Sequence, residues 1–250
     1  MSGRERWDVD GYLVVPGLLA DLVPKLEAEA ERLAARTELI SPLNIRCRWA
    51  DHVDTKVCRF DCFDPVTDLS EPIAAAARDP RLLALLAELY GEPAYLFKDK
   101  VIYKPDGAPG YDLHQDYIAW AEFPTSFVTA IVAIDGSDER SGGTEFFSGE
   151  HRRGLLSPPD GQFNRLTADA LSPGAGGTIP VLSPGDVVVF GGYLPHRSAP
   201  NRSGHPRRLL YFSYNAASDG GDARASHYRQ FHAWLRERYA EHGKHGMYFR

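Results

Sequence analysis

The chain has 250 residues, a formal net charge of −6, 43% hydrophobic and 25% charged residues, and three cysteines. The acidic balance gives no reason to expect nucleic-acid binding, and no stretch reaches the ~18 consecutive apolar residues of a membrane span. Residues 1–8 lack the apolar core of a signal peptide, so the cytoplasm is the default location, and three cysteines cannot build a disulfide framework.

Taken in order, Gly11 to Val15 reads as a strand. Ala20 to Arg36 reads as a helix, with Leu22, Leu26, Ala30 and Leu33 at helical spacing and Asp21 as its N-cap. Residues 37–70 show little periodicity and read as a long loop, a kind of segment that is usually functional or mobile. Cys47, Cys58 and Cys62 lie there near His52, but Cys47-x4-His52 matches no common zinc spacing, so ordinary reduced thiols are expected. Arg46, Arg48 and Arg59 of this stretch would suit a phosphate, phosphonate or carboxylate substrate. Asp51, Asp54, Asp61 and Asp64 explain them equally well as paired surface charge. Glu71 to Tyr90 is helical with a break at Asp79-Pro80, and Gly91 closes it. Ala94 to Asn215 consists of strands separated by Gly/Pro turns, which suggests a jelly-roll barrel. Ala223 to Glu241 is a final helix. No linker or repeat interrupts the chain, so residues 1–250 read as one mainly β domain with flanking helices and a β-core over about 94–216.

The chemistry lies in His114-Gln115-Asp116, His196 and Arg207. Two histidines and one carboxylate can occupy one face of an octahedral metal and leave the other open, the ligand set of non-haem Fe(II) oxygenases. A His-x-Asp tripeptide alone is expected by chance, and His52-Val53-Asp54 is a decoy in an irregular, charged stretch. His114 instead follows a strand-like run, and residues i and i+2 of an extended segment share a face. His196 leaves a short apolar strand, Val187-Val188-Val189-Phe190, that follows the turn Ser183-Pro184-Gly185-Asp186. A second strand opens at Arg207, and antiparallel pairing would return that guanidinium to His196. There, with Ser198, it would hold the far carboxylate of a 2-oxoglutarate cosubstrate. Tyr117, Trp120 and Phe123 fit a substrate pocket or core packing equally. Gln115 points away from its neighbours, and Arg152 and Arg153 read as solvated.

These motifs, with the opening Trp7-Asp8-Val9-Asp10-Gly11-Tyr12, the run Lys98 to Pro105 and Gly142-Gly143-Thr144-Glu145-Phe146, resemble the phytanoyl-CoA dioxygenase family of Fe(II)/2-oxoglutarate oxygenases. The resemblance spans about residues 7–216. It implies a double-stranded β-helix (a cupin-like jelly roll) with His114, Asp116 and His196 as iron ligands and Arg207 and Ser198 on 2-oxoglutarate. It also implies Lys100 or Lys98, and Thr129 or Ile131, along the cosubstrate. A tryptophan that some relatives carry near Ile131 is absent. Related halogenases replace the carboxylate ligand with a small residue, so Asp116 favours hydroxylation. The implied activity uses Fe(II), 2-oxoglutarate and O2 to hydroxylate an unactivated C–H bond of a small molecule, releasing succinate and CO2. Desaturation, cyclisation or epimerisation on the same scaffold, or a non-catalytic metal- or ligand-binding barrel, are the alternatives.

Overall fold

A computed structural model describes residues 3–242. After helix α1 (Gly3–Asp10), strand β1 (Tyr12–Val15) and helix α2 (Val23–Ala34) come strands β2 (Cys47–Asp51) and β3 (Cys58–Phe63). Helices α3 (Glu71–Ala77) and α4 (Pro80–Tyr90) lead to β4 (Ala94–Ile102), β5 (Tyr111–His114), β6 (Val128–Ala133) and β7 (Thr144–Phe146). Strands β8 (Val187–Gly191), β9 (His196–Ser198) and β10 (Leu209–Ala216) follow, and helix α5 (Arg224–His242) comes last.

The strands form two antiparallel sheets. The large one runs β1-β8-β6-β10-β4-β3-β2 and the small one β5-β9-β7. Together they make the expected double-stranded β-helix. Strand alternation decides which residues meet which layer. Val101, Val132, Val189, Leu210 and Phe212 pack outward on Leu26, Leu33, Ile73 and Leu86 of the helices. Ile131, Ala133, Val188, Phe190 and Leu209 pack inward on Phe146 and Leu194. Strand β6 is apolar apart from Thr129, which faces the cavity, and both faces of β8 are thus buried, which explains its apolar run. Each such side chain contributes ~1.5–3 kcal/mol of burial.

The break at Asp79-Pro80 is as read. Asp79 caps α4 through Arg81 N, and Gly91 ends it at φ 74°, where a Cβ would be strained. Two expectations need correction. Asp21 does not cap α2; Leu22 stands at that position without a side-chain bond, and Asp21 pairs with Arg81 at 2.7 Å. Residues 37–70 are not a structureless loop, because β2 and β3 pair with each other and β3 joins β4 through Cys62↔Ile102 and Phe63↔Val101. These strands escape a hydrophobic-pattern reading because their inward residues are charged. Arg48, Asp61 and Asp64 are buried, while Cys47 and Phe63 supply the apolar face. A further difference concerns Arg207. It precedes β10, which begins at Leu209 and pairs with β4 and β6, whereas β9 pairs with β5 and β7. Arg207 and His196 therefore approach from opposite sheets rather than along one hairpin.

Candidate metal centre and its cavity

The small sheet builds the centre by register. His114 on β5 lies directly opposite His196 on β9, and Asp116 follows just past the end of β5. The ligand atoms of the three residues all lie within 4.8 Å of one another. His114 Nε2 is 3.6 Å and His196 Nε2 3.7 Å from Asp116 Oδ1.

The hydrogen bonds around these rings explain what the arrangement is for. His114 Nδ1 meets Asp112 O at 2.6 Å, and His196 Nδ1 meets Leu194 O at 3.0 Å. Each carbonyl requires the proton on Nδ1, so a neutral ring turns its Nε2 lone pair toward the carboxylate. Burial, then the neighbouring His114, pushes His196 down to about 4. Against the upward push of its own burial, positive charge on His196 and His114, when either ring is protonated, and the Lys100 ammonium hold the Asp116 carboxyl well below the usual carboxylate range. Two lone pairs and an anionic oxygen converging on one point repel unless a cation sits between them, and an N,N,O set suits a divalent transition metal. Thr129 Oγ1 donates to Asp116 Oδ2 at 3.2 Å and meets Ser213 Oγ at 3.0 Å, which leaves Oδ1 to face the histidines. Gln115 ties Gly154 O, Tyr193 O and Leu156 N together, a positioning role consistent with its opposite orientation.

A cavity of about 450 Å³ opens beside the centre and is lined by His114 and Asp116 together with Lys98, Lys100, Thr129 and Tyr211. Lys100 is half-buried on the cavity wall; burial disfavours its charge, but Asp116, then Asp64, with Cys62 and Tyr211, together outweigh this and raise its pKa. Its Nζ stands 5.0 Å over the Tyr211 ring. Arg207 and Ser198 do come together, though behind the cavity wall. Arg207 is 1% exposed; its Nη1 donates to Gly142 O at 2.8 Å and its Nε has no partner. Lys104 Nζ donates to the same carbonyl at 2.8 Å and to Ser198 Oγ at 2.9 Å. Burial, then Arg207, pushes Lys104 down to about 6. Among the described residues no carboxylate forms an ion pair with Arg207; the buried Asp61 carboxylate feels its charge at longer range, after that of Lys104.

The remaining sequence candidates separate cleanly. His52 sits in a turn and accepts from Asp54 N at 3.2 Å, away from the triad. Arg46 pairs with Asp68, and Arg153 with Glu150, whereas Arg48 lines the cavity. Phe123 lines the cavity, while Tyr117 packs on Tyr193 and Trp120 on Trp234. Cys47 and Cys62 are buried and Cys58 exposed; among the described residues the one cluster able to hold a metal is the His-Asp-His triad. The sequence reading missed Lys104 and His227. Each carries an isolated, aperiodic signal that only packing makes legible. Among the described residues no helix is long and apolar enough to cross a membrane.

A double-stranded β-helix that gathers two histidines and one aspartate at its small sheet defines a non-haem metal oxygenase scaffold. The family profile described as phytanoyl-CoA dioxygenase (PhyH) matches residues 7–209, and the chain belongs to that family. It is 33% identical over 233 residues to a methylphosphonate hydroxylase of Gimesia maris, covering 91% of this chain and 84% of that protein. It is 29% identical to a 2-aminoethylphosphonate dioxygenase of an uncultured bacterium, covering 87% and 82%. The epimerase SnoN of nogalamycin biosynthesis, solved with Fe3+, alpha ketoglutarate and nogalamycin RO, superposes with a TM-score of 0.69 at 26% identity, covering 86% of this chain and 82% of SnoN. These likenesses place the protein among the Fe(II)/2-oxoglutarate-dependent dioxygenases.

Proposed function

We propose that the chain is a single-domain, cytoplasmic enzyme that hydroxylates an unactivated C–H bond of a small polar molecule, with His114, Asp116 and His196 as its iron ligands. The observation that carries this reading is the pair of carbonyl-locked imidazoles aimed at one carboxylate oxygen. When bound, iron and 2-oxoglutarate supply an oxidant by oxidative decarboxylation to succinate and CO2.

The chain's own residues supply geometry and dryness. The carbonyls of Asp112 and Leu194 fix the ring tautomers, and Thr129 fixes the rotation of Asp116. The apolar layer of Ile131, Val188, Phe190 and Leu209 excludes water from the barrel interior. Arg207, its Nε unpartnered, would hold the far carboxylate of 2-oxoglutarate beside Ser198. A guanidinium suits that carboxylate through two parallel hydrogen bonds, which lysine cannot reproduce. Lys100 and Thr129, which line the cavity beside His114 and Asp116, would border the cosubstrate.

The relatives above that act on methylphosphonate and 2-aminoethylphosphonate support a small polar substrate over a bulky thioester. Epimerisation is the second reading, favoured by the structural likeness to SnoN. The two outcomes differ in where the substrate's C–H bond is held. Succinate release in a screen of small phosphonates and other polar compounds tests the reading. A product heavier by one oxygen atom supports hydroxylation, an isobaric product supports epimerisation, and 2-oxoglutarate turnover absent under all conditions would favour a non-catalytic barrel.

A further inference from the structure

The cavity has two ends. Along the barrel it runs past Lys100 and Tyr211 to Ile102 and Tyr111. At the other end it is closed by α5, through His227, Trp234, Leu235 and Tyr239. Helix α5, which begins at Arg224, lies beyond residues 7–209 of the family match.

Two polar groups stand at the α5 end, Lys98 in a shared ion pair and His227 with an unpartnered nitrogen. Lys98 Nζ lies 4.4 Å over the Phe231 ring, and its nearest acidic atom is Asp64 Oδ2 at 3.5 Å. It shares that atom with Arg48, 3.8 Å away, and the other Asp64 oxygen accepts from Tyr228 at 3.0 Å. His227 is 5% exposed, stacks on the same Phe231 ring at 5.6 Å and 9°, and has an unpartnered Nε2. Both residues line the cavity. Lys98 and Arg48 share the single Asp64 carboxylate, which leaves an excess of positive charge on this wall, and the buried His227 Nε2 has no hydrogen-bond partner, so an anion in the cavity would complement both. Beside them Phe123, Phe127 and Phe163 present a continuous aromatic surface to the same space. A charged head and an apolar flank in one cavity select an amphipathic anion.

Building on the dioxygenase reading above, we infer that Lys98 and His227 form a subsite for an oxyanion group of the substrate, phosphonate or carboxylate, whose carbon skeleton packs on Phe123, Phe127 and Phe163. This subsite is separate from the one at Arg207 and Ser198. It lies at the α5 end of the cavity, whereas that pair lies behind the barrel wall.

The test uses the full chain, loaded anaerobically with Fe(II) and 2-oxoglutarate, whose visible charge-transfer band reports the cosubstrate. Benzylphosphonate, phenylacetate, methylphosphonate and uncharged benzyl alcohol are titrated by calorimetry and by their perturbation of the band. The subsite predicts that the benzyl anions bind at least tenfold tighter than benzyl alcohol and tighter than methylphosphonate. Whichever anion binds better identifies phosphonate or carboxylate as the preferred head. Lys98→Met is expected to weaken the benzyl anions at least tenfold and His227→Gln several-fold. Lys98→Arg should recover most of the loss, and 2-oxoglutarate affinity should change less than twofold throughout. Equal binding of benzyl alcohol and the anions overturns the subsite without any variant, so a poorly folding Lys98→Met does not shield it. A parallel loss of 2-oxoglutarate affinity in Lys98→Met assigns the lysine to the cosubstrate and also overturns it. Absence of the band in folded wild type overturns the dioxygenase reading itself, an outcome distinct from a normal band that no anion perturbs.

Discussion

The two ends of the cavity are built by different means. The metal end is fixed by β-sheet register: His114 opposite His196, with Thr129 and Ser213 in neighbouring rungs that steady Asp116. The α5 end is fixed by side-chain packing of a helix on an aromatic cluster, in which His227, Phe231 and Trp234 share one face. A slip of one residue would turn every side chain of the strand to the other face, so the register specifies the ligand geometry strongly. A packed helix face tolerates volume-conserving exchange. The metal residues thus rest on the barrel, whereas the proposed oxyanion subsite rests on β4 and helix α5.

The sharpest way to break this contrast is at the ligands. Replacing His114, Asp116 or His196 with alanine should lower Fe(II) affinity by more than ~100-fold, since loss of a mere outer partner already costs 10–100-fold. Equilibrium dialysis against Fe(II) measures it, and a variant that retains iron would remove that residue from the ligand set. Arg207→Lys comes next. Losing one of two charge-assisted hydrogen bonds costs ~1.5–3 kcal/mol, or roughly 10–100-fold in the 2-oxoglutarate concentration needed for half-maximal turnover. Unchanged cosubstrate dependence in the lysine variant would contradict the anchor. Thr129→Val keeps the shape of the rung but frees Asp116 Oδ2. A loss of metal affinity of about tenfold is expected, with the thermal midpoint nearly unchanged. A fall in the midpoint with metal affinity intact would instead make Thr129 a packing residue.

At the α5 end the effect is one of pH. Burial, then Lys98, pushes His227 down to about 3, with His232 and Arg224 adding to the push and Asp64 opposing it. The folded-state value lies below the unfolded one, so between pH ~6.5 and ~3 the unfolded chain binds a proton that the folded chain refuses. This contribution is fully present above pH ~6.5 and is lost as the pH falls, at up to roughly 1.4 kcal/mol per pH unit. His227→Gln should flatten the acid limb of a urea-melt series while leaving stability at pH 8 little changed; a limb as steep as wild type's would place the titrating group elsewhere.

Legibility in the sequence follows the same division. The triad, the β-core, the helix break at Asp79-Pro80 and the closing helix were all readable, because periodicity and turn chemistry are local signals. The β2–β3 hairpin was not. Its Arg48, Asp61 and Asp64 imitate a solvated loop, and only the burial of their partners reveals a strand. Lys104 was equally hidden, since its acceptors Gly142, Ser198 and Ala199 lie far along the chain. The interval from His196 singled out Arg207 but could not give its sheet: β9 pairs with β5 and β7, whereas Arg207 leads into β10, which pairs with β4 and β6.

The central claim is that the triad and Arg207 form a working iron and 2-oxoglutarate site. The most direct measurement adds Fe(II) and 2-oxoglutarate to the apo-protein without oxygen and records the visible charge-transfer band of the chelate, beside Asp116→Ala and Arg207→Ala. A band in wild type that vanishes in the first variant and needs more 2-oxoglutarate in the second is the predicted result. A folded, metal-loaded wild type without the band would contradict it.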